Sequence, residues 1–433
     1  GIVFGENARL DLGGSFVGTT ASGLEFGEQG NFSATNPQAP GLLTVNPNAL
    51  FFNQIQGNAG IINKSQANAG ISPAGDDATG LRVPDGQNLL LAGGDIDING
   101  GELKAYGGNI ELVGLSAPGN IALEFSGNKP SLNVPDGVER ANVSLSNGAV
   151  VNVRSNNGGN IKINARNVDM TGDSKLRAGI DKGLGTLDSQ GGDIVINATG
   201  ITTITSKSFI ANVIDDRGIG KTGEININTG SLNLSENGLI NASVFPFAKG
   251  DAGNISIQAK DTVSLVNSSG IFSSVDEGAI GNGGEININT GSLFSLTEGS
   301  EINAKTFGQG NAGNITVNAR QSIFLDGFGD AILTDGSNGT IFTRIINSVN
   351  PGAVGNAGDI QLNTGTLSAT NGAFISSGTI GKGDAGNITI NASDTVNFDA
   401  NSYVSSDVSF DTVGEAGDIR VITGTLSLTN GAL

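Results

Sequence analysis

The stretch Gly383–Phe398, GDAGNITINASDTVNF, decides the fold, because close copies of it recur along most of the chain. Its core is a Gly, then Asp, Asn or Glu, then Ile, one variable residue and a second aliphatic. The leading Ile stands at 161, 194, 225, 255, 286, 315, 360, 388 and 419, most steps being about thirty residues. A repeat of that length cannot bury its apolar face alone and must stack on its neighbours as a solenoid.

Within the unit, Ile388 and Ile390 flank polar Thr389, Val396 and Phe398 flank Asn397, and Tyr403-Val404-Ser405 forms a third short run. Alternation at period two, cut by Asn, Gly and Asp, predicts three strands per unit and no helix. If each unit is one coil, like strands pair in parallel and like residues stack ~4.8 Å apart. The predicted fold is therefore all-β, a parallel β-helix.

The register adds a corner. Three residues after the leading Ile stand Asn164, Asn197, Asn228, Asn289, Asn318, Asn363 and Asn391, with Gln258 and Ile422 as departures. Stacked amides can form a hydrogen-bonded ladder, and Asn tolerates left-handed backbone, so a sharp turn is expected there. Small residues follow, from Ala165 and Ala198 through Thr229 to Thr423. A longer period overlies this one: units at Ile225, Ile286, Ile360 and Ile419 continue Thr-Gly-Ser/Thr-Leu, while those at Ile255, Ile315 and Ile388 lack the Gly. This is a two-coil module with no chemistry attached.

With 433 residues the chain exceeds one compact core, which a solenoid avoids because each coil has its own interior. Gly is 69 residues and aromatics are only 5%, so that interior is slim. Absence of Cys excludes disulfide staples, and absence of His removes the commonest metal ligand and general base. A net charge of −19 argues against nucleic acid as a partner. No run of eighteen or more apolar residues is present, so no membrane-spanning helix is expected. The chain starts and stops within its pattern and is expected to be a piece of something longer.

The first 135 residues are less regular. Ala8–Val17 alternates around Gly13-Gly14, Leu42-Leu43-Thr44-Val45 reads as a strand entering the turn Asn46-Pro47-Asn48, and Leu89-Leu90-Leu91 leads into GGDIDI and GNIEL. Prolines at 118, 130 and 135 interrupt the pattern, and Leu132–Gly137 reads as a junction.

Three stretches in order, GIVFGENARLDLGGSFVGTTA (1–21), GLLTVNPNALFF (41–52) and GLRVPDGQNLLLAGGDIDINGGELKAYGGNIELVG (80–114), resemble the secretion domain of two-partner-secretion exoproteins. That is the filamentous-haemagglutinin-like family, in particular its cyanobacterial large exoproteins, and the GNAGNIT-type repeats are similar to that family's stem. Of the family's Asn-Pro-Asn-Gly-Ile-type motif only Gly1-Ile2 could be present. The resemblance implies a right-handed β-helix, in keeping with the usual hand of parallel crossovers. It implies a truncated secretion domain over 1–135 and a stem over 136–433. It also implies a TpsB-type outer-membrane barrel transporter as partner. The product would be a secreted, cell-surface adhesin, aggregation factor or coat filament, with cell-surface glycans or other cells as further partners.

Parallel β-helices also carry polysaccharide-cleaving enzymes, whose sites need carboxylates projecting together from neighbouring coils. The outward residues of the first strand are Lys162, Val195, Asn226, Ser256, Asn287, Thr316, Gln361, Thr389 and Arg420, none acidic. Those of the second are Asp169, Asn233, Ser264, Phe324, Ser368, Asn397 and Ser427. Other carboxylates gather at turns, Asp76-Asp77, Asp215-Asp216 and Asp276-Glu277, where exposure is expected to leave them ordinary. The nonapeptide of calcium-binding β-rolls is absent. No residue is assigned to catalysis, a cofactor or a metal, and binding residues are unassigned. Asn254, Asn314 and Asn387 begin Asn-x-Ser/Thr triplets but start strands; Asn31, Asn142, Asn267 and Asn338 sit nearer turns. The long step from Ile315 to Ile360 places an insertion around Ser337–Pro351. Two other functions stay open: a carbohydrate-active β-helix enzyme or depolymerase, and a spacer presenting a distal domain.

Overall fold

Three rows of parallel strands stack coil on coil, the third joining only from Leu81–Arg82 onward. A computed structural model describes residues 1–34, 43, 45–53, 59–332, 338–410 and 412–433. The first row extends from Phe16–Thr19 to Ile419–Ile422. The second extends from Ile2–Phe4 to Thr425–Leu428. The third extends from Leu81–Arg82 to Tyr403–Ser405. Among the described residues the only helix is the single turn Gly27–Gln29. The fold is a parallel β-helix.

Inward residues are the ones the alternation singled out. Ile161, Ile194, Ile225, Ile255, Ile286, Ile315 and Ile388 are fully buried, and each pairs with its counterpart on the next coil. They join Val, Leu and Phe from the other two rows in one continuous core. Each buried aliphatic side chain of this core contributes ~1.5–3 kcal/mol.

The corners differ from the expectation at the Asn row. Asn164 and its counterparts are not left-handed. In three coils first and second strands are continuous, over Ile315–Asp326, Ile360–Thr370 and Ile388–Phe398, with a register shift between Ala319 and Ser322 in the first. A shallow bend needs only a bulge. The sharp turn lies between second and third strands, where Ser206, Lys207, Glu236, Asn237, Asn267, Ser268, Asn371 and Asn401 have φ of 49° to 64°. After the third strand, single parallel bridges such as Ile214 with Val244 and Ile219 with Lys249 continue the stacking through a wider corner. That corner encloses a satellite core of Ile180, Ile214, Val244, Ala248, Val275 and Ala279.

Two excursions leave the coils between first and second strands, over 20–60 and 115–142. They meet as one antiparallel sheet in the spatial order 129–133, 119–126, 49–52, 23–25, 31–33. This sheet lies over the first face, and Leu50, Phe52, Ile121, Leu123 and Leu132 pack there on outward-facing Leu90, Ala92 and Val113. The run Leu89-Leu90-Leu91 is thus a strand buried on both sides, which is why it does not alternate.

Three local expectations need adjustment. Within Ala8–Val17 only Phe16 and Val17 join a strand. Ala8, Leu10 and Leu12 pack on the core without a ladder, because the coil above gives up that corner to a hairpin, Asn68–Ile71 with Asp77–Thr79. Leu42 and Thr44 of the expected strand lie outside the described residues, and Asn46–Asn48 runs directly into Ala49–Phe52. The insertion is displaced: Arg344–Val349 is that coil's ordinary third strand, paired with Glu301–Asn303 and Phe374–Thr379. The extra segment is instead the hairpin Phe328–Ile332 with Asn338–Phe342. Alternation alone could not separate a hairpin strand from a coil strand.

Candidate functional site

Outward side chains of a coil stack into columns, and these columns are the candidate surface. The first-face column reads Val17, Leu90, Glu111, Lys162, Val195, Asn226, Ser256, Asn287, Thr316, Gln361, Thr389 and Arg420, each paired with the next. The members from Lys162 onward fall where the sequence placed them. Glu111, from the early copy GNIEL, precedes Lys162 in the same column and adds a carboxylate to it. It is 5% exposed, its Oε2 accepts the Leu132 amide at 3.0 Å, and burial pushes its pKa up.

The second-face column likewise aligns Asp169, Thr203, Asn233, Ser264, Ser295, Phe324, Ser368, Asn397 and Ser427. Asp169 has a second carboxylate in its column, Asp97, but Ser144 lies between them and donates to Asp97 at 3.1 Å. Burial raises the Asp169 pKa, and its hydrogen bond with Thr203 opposes that. At two coils' separation, ~9.6 Å, these carboxylates are not within reach of one bond in a retaining geometry, which needs ~5–5.5 Å.

Beside the first column runs a ladder of amides. Asn197 Nδ2 donates to Asn164 Oδ1 at 3.2 Å and Asn228 to Asn197 at 3.1 Å. Beyond Gln258 it resumes: Asn318 donates to Asn289 at 2.7 Å, Asn363 to Asn318 at 2.6 Å and Asn391 to Asn363 at 2.8 Å.

The wide corner holds two more columns, both of side-chain oxygens that accept the backbone amide of the equivalent residue on the following coil. One joins Asn109, Asn160, Asp193 and Glu224, and later Asn254 to Glu285, Asn314 to Asp359 to Asn387 to Asp418, at 2.7–3.0 Å. The other joins Asp251, Asn282, Asn311, Asn356, Asp384 and Glu415 at 2.8–3.0 Å. The triplet residues Asn254, Asn314 and Asn387 therefore use their side chains inside this ladder. Glycines stand between the two columns: a Cβ on Gly253 would lie 1.8 Å from the Gly223 carbonyl oxygen, and one on Gly284 2.0 Å from that of Gly253. Only Gly permits the coils to approach so closely.

The acidic turn pairs are less ordinary than their sequence suggested. Asp76 and Asp77 are exposed. Asp215 instead contacts the buried Arg154, which also lies 3.7 Å from Asp181, while Asp216 pairs with Arg217 at 2.6 Å. Asp276 borders the satellite core, and burial raises its pKa to about 6. One coil on, burial lowers the Lys305 pKa to about 8, with Arg344 acting in the same direction. The Glu301 carboxylate acts on Lys305 in the opposite direction. Among the described residues no group of three or more Asp, Glu, His or Cys is placed to hold a metal ion.

Residues 1–163 match the family model described as TPS secretion domain. No curated protein and no solved structure matches the chain. The family match supports a secreted exoprotein, exported across the outer membrane by two-partner secretion with a TpsB transporter as partner. Among the described residues no helix is long and apolar enough to cross a membrane.

Proposed function

We propose that the chain is a surface exoprotein of the filamentous-haemagglutinin-like type, in which residues 1–135 form the secretion region and 136–433 a stem that adheres, aggregates or coats. The carrying observation is the secretion-domain match at one end of an uninterrupted stack. Residues 1–163 share all three rows with the coils that follow, so secretion region and stem are one solenoid. Polar outward columns repeated coil after coil suit many weak contacts acting together.

The same stack gives export a driving force. A chain emerging unfolded would add coils one at a time outside the cell, each burying aliphatics such as Ile388, Ile390 and Val396 that are fully enclosed in the folded state. No nucleotide hydrolysis is required if folding on the far side prevents return.

Co-expression with a TpsB-type transporter in a two-membraned host tests the reading. The chain is expected at the outer surface only when both the transporter and residues 1–135 are present, and surfaces coated with it are expected to retain cells. Export without the transporter would overturn the secretion reading. Release of soluble products from polysaccharide by the purified chain would replace the adhesive reading with the enzymatic one, and export without cell retention would favour a spacer.

A further inference from the structure

The amide ladder lies in a groove that the secretion region helps to build. Val134, Asp136 and Arg140, at the end of the second excursion, wall a cleft of about 490 Å³ over Asn164, Asn197 and Asn228. A second cleft of about 480 Å³ continues over Asn289, Asn318 and Asn363. The two share Gln258 and Ala259, so they form one groove along seven successive coils.

The groove is lined by donors. An Asn amide has two N–H donors and one oxygen, and in the ladder each bonded oxygen accepts from the next coil while each bonded amide nitrogen uses one of its hydrogens. One N–H per rung is left over. At the head of the ladder Asn164 is 2% exposed and its Nδ2 has no partner, although its oxygen is engaged. Arg140 adds a second donor of this kind: Nη1 donates to the Asn197 carbonyl at 2.8 Å, but Nε is buried and unpaired. Lys162 and the exposed Lys260 flank the cleft, against a single carboxylate, Asp136. This is a cationic spot on a chain of net charge −19.

A buried donor without an acceptor costs ~1–3 kcal/mol, and two in one cleft favour a ligand that brings oxygens. The groove is open along the stack and its rungs repeat every ~4.8 Å, close to the length of one sugar unit in an extended 1,4-linked chain. From this geometry we infer that the groove binds a carboxylate-bearing polysaccharide lying along the coil axis, with a uronate carboxylate seated between Arg140 and Asn164. Hydroxyls of successive sugars occupy the rungs beyond. This names a ligand class for the adhesive stem and rests on that reading for its biological setting. Its chemistry is testable on the purified protein without export or cells.

The experiment is calorimetric titration of the full chain with a hexamer of 1,4-linked galacturonate, beside neutral maltohexaose and inorganic phosphate. The galacturonate hexamer is expected to bind at least about ten-fold more tightly than either comparator, and to weaken with salt. Asn164→Asp keeps the shape but turns a donor into an acceptor, and Lys260→Glu reverses an exposed charge that the fold does not use. Each is expected to weaken the hexamer about ten-fold or more, whereas Lys382→Glu, on the wide corner away from the groove, leaves it unchanged. Equal binding of the neutral hexamer, equal loss in Lys260→Glu and Lys382→Glu, or no binding of the uronate by the parent chain would each overturn the proposal. Phosphate binding as tightly as the hexamer would reduce the site to an anion pocket and overturn it as well.

Discussion

The same outward column carries opposite chemistry at its two ends. Under the antiparallel sheet it reads Val17, Leu90 and Glu111, the last with its carboxylate tied to the Leu132 amide, and its neighbour column reads Ala92 and Val113; in the open stem the two read Asn226, Ser256, Asn287 and Asn228, Asn289, Asn318. The backbone pairing is alike in both regions, and the inward aliphatics are alike. What differs is whether the outside is covered. A coil thus needs only its inward face to stack, and its outward face is free to follow whatever lies against it.

The largest test of that contrast places one charge at both ends of a single column. Leu90→Asp puts a carboxylate between two packed layers and is expected to cost at least ~4 kcal/mol, as a lost core side chain plus an unpaired buried charge. Ser256→Asp, in the same column but on the open stem, is expected to stay within ~0.5 kcal/mol. Denaturant unfolding followed by hydrogen exchange across residues 110–135 would read both. Similar losses in the two variants would mean that the sheet does not seal the first face.

The second test reverses the ranking of the regions. Gly253→Ala, in the stem, sets a methyl 1.8 Å from the Gly223 carbonyl oxygen and is expected to cost ~2–4 kcal/mol by forcing coils apart. Gly119→Ala, in the covering sheet, meets nothing within 4 Å and is expected to be nearly neutral. Thermal unfolding of the pair separates a fold held by close coil stacking from one held by its cover alone.

The smallest effect concerns a buried carboxylate and a half-buried one. Glu111, under the cover, has the Leu132 amide as a partner, whereas burial acts alone on Asp276. A raised folded pKa means that the folded chain holds the proton more strongly than the unfolded one. The stabilisation is therefore full below about pH 4 and is lost as pH rises to about 6 for Asp276. Asp276→Asn is expected to remove that loss and raise stability at pH 7.5 by ~1 kcal/mol, allowing for the partial exposure of the site. Glu111→Gln is expected to gain less, because it weakens the acceptor for Leu132. Melting curves between pH 4 and 8 would show the two slopes.

Period-two alternation made the coils legible to the residue: the outward positions from Lys162 and Asp169 onward align as the sequence placed them. It worked because each strand meets its own copy, so local pattern and tertiary pairing coincide. The cover was not legible, since Gly23–Glu25, Ala49–Phe52 and Gly119–Ser126 pair across long stretches of chain with no repeat to announce them. The unbroken Leu89-Leu90-Leu91 was the available sign that both faces are enclosed. The amide ladder is legible in the sequence, but its backbone is not: stacked side chains hold Asn in extended strands, and left-handed residues fall instead in turns, at Glu236-Asn237 and its counterparts and at Arg217 and Phe247 in the wide corner. The groove is not legible in the repeat because Val134, Asp136 and Arg140, which wall one end of it, lie outside the repeat.

The wide corner also gives assembly a direction. Oxygens of Asn311, Asn356 and Asp384 wait, on a finished turn of the spiral, for amides that belong to residues arriving later. Other amides of the same corner point forward, Ala312 to the Asn356 carbonyl and Ala357 to that of Asp384, so only the side-chain contacts run in one direction. A chain threaded outward from its amino-terminal end finds these side-chain acceptors already in place on each finished coil.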